Sequence, residues 1–90
     1  GREVILGGQH ITLSGKLYGL LHVLYENRGR AVSILDIKTE VWQERGLGAD
    51  GMPLVTNQEV YTLVRRLRKR FGPHRDLVRT VPGFGYSLDL

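Results

Sequence analysis

The 90 residues carry 13 lysines and arginines against nine acidic side chains, a formal charge of +4, with 41% hydrophobic residues and no cysteine. A chain this short holds one continuous core and leaves little volume for an enclosed catalytic cavity, and the lack of cysteine removes disulfide frameworks, thiolate metal sites and cysteine nucleophiles. No apolar run approaches the roughly 18 residues that span a bilayer and no signal pattern opens the chain, so it reads as cytoplasmic, a single domain over 1–90 excised from a longer protein.

In chain order, residues 2–6 and 10–13 are rich in strand formers, and Gly7-Gly8 between them predicts a β-hairpin turn. Ser14 stands where a cap is needed for a helix running to about Asn27, with Leu17, Leu20, Leu21 and Leu24 at helical spacing and Gly29 just beyond. Arg30 to Ser33 reads as a short extended link. Ser33 with Asp36 resembles a capping box for a second helix to about Arg45, burying Ile37, Val41 and Trp42. Gly46, Gly48, Gly51 and Pro53 then break regular structure in a loop of about ten residues, a length more often functional than accidental.

Thr56 with Glu59 forms the clearest capping box, and Val60, Leu63, Val64, Leu67 and Phe71 follow at helical spacing. Gly72-Pro73 ends this third helix, and 77–81 and 84–89 read as strands around Pro82-Gly83, with Val81, Phe84 and Tyr86 contributing to the core. The pattern is α+β: N-terminal antiparallel strands, a three-helix core and a C-terminal hairpin.

The third helix carries Arg65, Arg66, Arg68, Lys69 and Arg70 against Glu59, which equals the whole net charge of the chain. With its apolar stripe inward, the 3.6-residue period turns Gln58, Tyr61, Thr62, Arg65, Arg66, Lys69 and Arg70 outward. A face that is polar first and basic afterwards suits entry into the DNA major groove N-terminus first. Gln58, Thr62 and Arg66 then meet base edges and Arg65, Lys69 and Arg70 meet phosphates. The hairpin is placed to act as a wing, with Arg75, Arg79 and Thr80 as its contacts. Half a dozen phosphate contacts imply an affinity that falls roughly 10³-fold or more between 50 and 200 mM salt. The bland alternative is a solvated basic face that neutralises acidic surface elsewhere.

Leu13-Ser14, Leu20-Leu21, Val32-Ser33, Val41-Trp42, Leu67-Arg68-Lys69 and Arg79-Thr80-Val81-Pro82-Gly83-Phe84-Gly85-Tyr86, in that order, resemble the OmpR/PhoB-type winged-helix effector domain over nearly the whole chain. The resemblance implies a winged helix-turn-helix output domain of a transcriptional regulator in a two-component system, with double-stranded DNA as partner. It implies a loop over 46–55 that faces RNA polymerase, pairing of two copies on DNA, and a sheet of about four N-terminal strands where two are visible here. Carried over, the family's helix contacts fall on Gln58, Glu59, Tyr61, Thr62, Arg65, Arg66 and Lys69, and its wing contacts on Thr80 and Pro82.

The chain departs from the family pattern at Leu17, where Glu is usual, at Ile34-Leu35-Asp36, where the helix start is usually polar, at Tyr61 and Leu63, and at Pro82 and Ser87, where the wing usually has basic residues. A rival reading follows: a winged-helix protein-interaction module in which Ile34, Leu35, Trp42 and the 46–55 loop, with Gly48 and Met52, face another protein. A third is an RNA-binding or architectural domain without base readout. His10, His22 and His74 lack ligand spacing, and no nucleophile, general base or phosphate loop assembles, so no enzyme, metal or cofactor is expected.

Overall fold

Two small antiparallel sheets bracket three helices in the computed structural model, which describes residues 1–90. Strands β1 (Arg2–Leu6) and β2 (Gln9–Leu13) form the opening hairpin, Arg2 opposite Leu13 and Leu6 opposite Gln9. Helix α1 (Gly15–Glu26) follows. Ser14 occupies its N-cap position with extended backbone, but its hydroxyl makes no capping hydrogen bond, so the expected side-chain cap is absent.

The link at Arg30–Ser33 proves to hold a third strand, β3 (Val32–Ser33), which runs straight into α2 (Ile34–Val41). Ser33 Oγ accepts from the Asp36 amide at 3.0 Å, one half of a capping box. α2 stops at Val41, short of Arg45. Trp42 leaves helical geometry at φ −115° and ψ 42°, its indole is buried to 4% exposure, and a 3₁₀ turn over Gln43–Arg45 takes its place. Turning the indole inward costs the helix its last turn, because one position cannot both extend α2 and fill the gap beside α1.

Helix α3 (Asn57–Phe71) is the longest element. A 3₁₀ stretch, Gly72–Leu77, links it to β4 (Val78–Val81) and β5 (Gly85–Leu88). The second sheet has the order β3-β5-β4, so the closing hairpin is pinned to the start of α2 through β3. Its tip is a turn in which the Phe84 amide donates to the Val81 carbonyl at 3.0 Å. Pro82 stands second and Gly83, at φ 73°, third, as a type II turn requires. Gly85 allows β5 to approach β3: a Cβ there would collide with the Val32 carbonyl oxygen.

One core joins all elements. Leu17, Leu20, Leu21 and Leu24 of α1 meet Ile37 and Val41 of α2, and Val60, Leu63, Val64, Leu67 and Phe71 of α3. Leu6, Ile11, Leu13, Val32, Val78, Tyr86 and Leu88 close it from the strands. Leu17, unusual for the family pattern, is simply core. Phe84, expected to pack inward, is 49% exposed on the wing, since Tyr86 already fills the inward position of the hairpin.

Candidate nucleic-acid interface

The start of α3 is fixed from three sides. Thr56 Oγ1 accepts from the Glu59 amide at 3.1 Å, and Glu59 Oε2 accepts from the Thr56 amide at 2.9 Å, a complete capping box. Arg45 Nη1 lies 2.6 Å from Glu59 Oε1 and also donates to the Leu54 carbonyl, tying the 3₁₀ turn and the end of the loop to the helix. The Thr56 amide and the Arg45 guanidinium hold the Glu59 carboxyl below its ordinary pKa. Glu59, an expected DNA contact by family resemblance, thus spends both oxygens on the protein.

From that anchor the helix presents two outward rows at four-residue spacing. Gln58, Thr62 and Arg66 border an open concavity shared with Gly15 and Lys16 at the start of α1. Gln58 Nε2 reaches Thr62 Oγ1 at 3.4 Å, so these two polar side chains lie together. The second row, Tyr61, Arg65 and Lys69, is exposed. Tyr61 borders a concavity on the wing side with Asn57, Thr80, Val81, Gly83 and Phe84. Asn57 and Phe84 were not singled out from sequence, Phe84 because its aromatic character reads as core.

The basic side chains divide into two groups by what their donors meet. Arg68 bonds the Val78 carbonyl and Thr80 Oγ1, Arg70 donates to the Thr12 carbonyl, Lys16 pairs with Glu44 at 2.7 Å, and Arg45 pairs with Glu59. Arg65, Arg66, Lys69, Arg75 and Arg79 make no hydrogen bond or ion pair to protein, and outside this stretch the same holds only for Lys38. Apart from Lys38 on α2, the unpartnered cations therefore lie on one face of α3 and on the segment that follows it. Arg70, expected at a phosphate, emerges on the side of α3 that faces β2 and is held there.

At the root of the wing, Arg68, Arg75, Asp76, Val78, Arg79 and Thr80 line a third concavity, a polar one, along the free edge of β4. Strand alternation puts Val78 and Thr80 on one face of the sheet and Arg79 on the other, opposite Ser87. Thr80 therefore faces α3, where its hydroxyl accepts from Arg68, while Arg79 reaches the concavity from the edge.

The residues expected to face a protein partner are not gathered into one patch. Trp42 is core, and Ile34 is half-buried against the core and lines the concavity beside Tyr61 and the wing. Leu35 is 44% exposed at the start of α2, whereas Gly48 and Met52 lie in the loop beyond its other end. That loop is closed by its own bonds: the Gly48 amide donates to the Met52 carbonyl at 2.8 Å, the Met52 amide to Asp50 Oδ1 at 3.0 Å, and Leu47 bridges Pro53. It leaves Leu47, Met52 and Leu54 exposed.

Known proteins share this fold and sequence pattern. Residues 8–88 match the family model described as transcriptional regulatory protein, C terminal. The transcriptional regulatory protein QseB of Escherichia coli O157:H7 is 34% identical over 89 residues, covering 97% of this chain and 36% of that protein, so the chain spans about a third of its relative. The DNA-binding domain of Bacillus subtilis CssR is 36% identical with a TM-score of 0.71, over 97% of this chain and 90% of that one. The Klebsiella pneumoniae RstA DNA-binding domain, solved in complex with RstA box, is 26% identical with a TM-score of 0.74, over 98% and 83%. With the winged helix, the capped third helix and the Thr-Val-Pro-Gly-Phe-Gly-Tyr wing all in place, the chain belongs to the OmpR/PhoB-type family of C-terminal domains of transcriptional regulatory proteins.

Proposed function

We propose that this domain binds double-stranded DNA in a sequence-specific manner as the output domain of a response-regulator type of transcription factor working in the cytoplasm. The observation that carries the reading is the set of cations without internal partners, Arg65, Arg66, Lys69, Arg75 and Arg79, confined to the exposed face of α3 and the wing root. Folded proteins pair or solvate their charges, and a cluster of like charge left unpaired on one face is the footprint of a polyanion site. α3 enters the major groove with Gln58, Thr62 and Arg66 toward base edges. Arg65 and Lys69 take phosphates, and Tyr61 and Thr80 border the strand that passes between helix and wing.

The 46–55 loop, with Leu47, Met52 and Leu54 exposed, is the surface for RNA polymerase, and two copies pair on adjacent half-sites. The family is one of transcriptional regulators and not of enzymes. No helix is long and apolar enough to cross a membrane.

The test is site selection from a random duplex pool, followed by affinity measurements on selected and scrambled duplexes. Arg66→Ala should cost about 1–3 kcal/mol on the selected site and relax preference at one base pair, whereas Lys69→Ala should weaken both duplexes alike. Equal losses on both duplexes for both variants would refute this division of roles. A wild-type domain that is folded yet binds no duplex at low salt would refute DNA binding itself.

A further inference from the structure

We propose that Arg68 is a positioning residue that locks the wing to the recognition helix, so that the two meet DNA as one rigid unit. The inference rests on the DNA-binding reading above and assigns a role to a cation which that reading leaves unused.

Arg68 is half-buried on α3. Its Nε and Nη2 both donate to the Val78 carbonyl, at 3.0 and 2.8 Å, and Nη2 donates again to Thr80 Oγ1 at 2.9 Å. The guanidinium carbon lies 5.7 Å from the centroid of the Tyr86 ring. Val78 and Thr80 are the first and third residues of β4, and Tyr86 on β5 is the cross-strand partner of Thr80, so one planar group grips both strands of the hairpin. No other side chain of α3 hydrogen-bonds to β4 or β5.

The need for this grip follows from topology. β4 is an edge strand. The Leu77 carbonyl accepts from the Asp89 amide on the β5 side, so by alternation the Val78 carbonyl points to the free edge, where no strand supplies a donor. Arg68 fills that vacancy with a two-donor fork, and a third bond fixes its rotation. The same geometry seats Thr80, a wing residue, at a set distance from Arg65 and Tyr61, one and two turns back along the helix. Lysine carries the same charge but lacks the planar fork and cannot make the three bonds together.

The charge of Arg68 and its fork make opposite predictions, which separates positioning from direct phosphate contact. The experiment measures affinity for the selected duplex at several salt concentrations for Arg68→Lys and Arg68→Gln, alone and in an Arg75→Ala/Arg79→Ala background, with amide NMR spectra to verify folding. Positioning predicts that Lys fails to rescue: both variants lose about tenfold in the intact background and less than about twofold once the wing-root cations are gone. A phosphate contact predicts that Lys restores binding, that Gln lowers the salt slope by about one phosphate, and that losses add across backgrounds; that outcome overturns the inference.

Should the Arg68 variants not fold, Thr80→Val leaves the guanidinium in place and removes one of its acceptors. Its loss must shrink in the Arg75→Ala/Arg79→Ala background, and a loss of the same size in both backgrounds overturns the inference too. Absence of wild-type binding at low salt would instead refute the DNA-binding reading.

Discussion

Which cations are free on the surface sets a number for the salt dependence of binding. Arg65, Lys69, Arg75 and Arg79 are unpartnered and assigned to phosphates, with Arg66 kept for a base edge, whereas Arg68 and Arg70 are held by Val78, Thr80 and Thr12. Four phosphates at a slope of about −0.9 each give about −3.6 for log affinity against log salt, or a fall of about 150-fold between 50 and 200 mM. That is less than the roughly 10³-fold expected when all six outward cations of the helix and the wing root, Arg66 and Arg70 included, are counted as phosphate contacts. Replacing Arg65 and Lys69 together with Ala should halve the slope to about −1.8 and the fall to about 12-fold, while Arg70→Ala should leave the slope where it was. Fluorescence anisotropy of a labelled duplex across a salt series measures all three. An Arg70→Ala slope shallower by one phosphate, about −2.7, would refute the partition, and an unchanged slope in the Arg65→Ala/Lys69→Ala protein would remove α3 from the DNA.

Three further outcomes test the framework that presents this face. Gly85→Ala drives a Cβ into the Val32 carbonyl with Ser33 Cα at 3.0 Å, so β3 must part from β5; overpacking and lost ladder bonds should cost about 2–4 kcal/mol, and a loss under about 1 kcal/mol in urea unfolding would contradict the close approach. Ser87 is buried with an unpartnered hydroxyl, so Ser87→Ala should leave Tm unchanged or higher, and a clear drop in calorimetry would reveal a bond that the hydroxyl makes. Glu59 has a folded pKa below the unfolded value, so its capping contribution is complete above the unfolded pKa near 4.5 and is lost as pH falls through the lower folded one. The Tm advantage of wild type over Glu59→Gln should therefore vanish at acid pH, and a pH-independent difference would contradict the role of the charge.

Structure that is local is legible in the sequence. Thr56, Glu59 and the five apolar positions of α3 lie within one element, so a capping rule and a 3.6-residue period suffice to find it. The wing tip is equally local, since Pro82 and Gly83 dictate their own turn. The failures are non-local. β3 is two residues long and exists only because β5, more than fifty residues later, lies beside it. Trp42 looks helical in sequence and leaves the helix because the core has a place for its indole. The same limit explains the cations: nothing in Arg68-Lys69-Arg70 distinguishes them until the Val78 carbonyl and the Thr12 carbonyl, 10 and 58 residues away, claim the outer two.

The arrangement that favours DNA should also burden the free domain, and salt separates the two effects. Arg65 with Lys69, and Arg66 with Arg70, are like charges one turn apart on α3, each pair destabilising by about 0.2–0.5 kcal/mol. Basic groups in the last turn favour the negative end of the helix dipole, which offsets part of this for Lys69 and Arg70 but little for Arg65 and Arg66, farther from the terminus. Added salt screens the repulsion, so the Tm of the free domain should rise by a few degrees, given about 4–8 °C per kcal/mol at this size. The DNA-bound domain should move the other way. Stabilisation by ligand follows the logarithm of the ratio of ligand to Kd, and each tenfold loss of affinity removes about 1.4 kcal/mol of it. The two melting curves should therefore converge as salt rises. A free-domain Tm that falls with salt over the same range would mean that the cations of α3 are stabilised within the fold, and the case for an unpaired, ligand-directed face would fail with it.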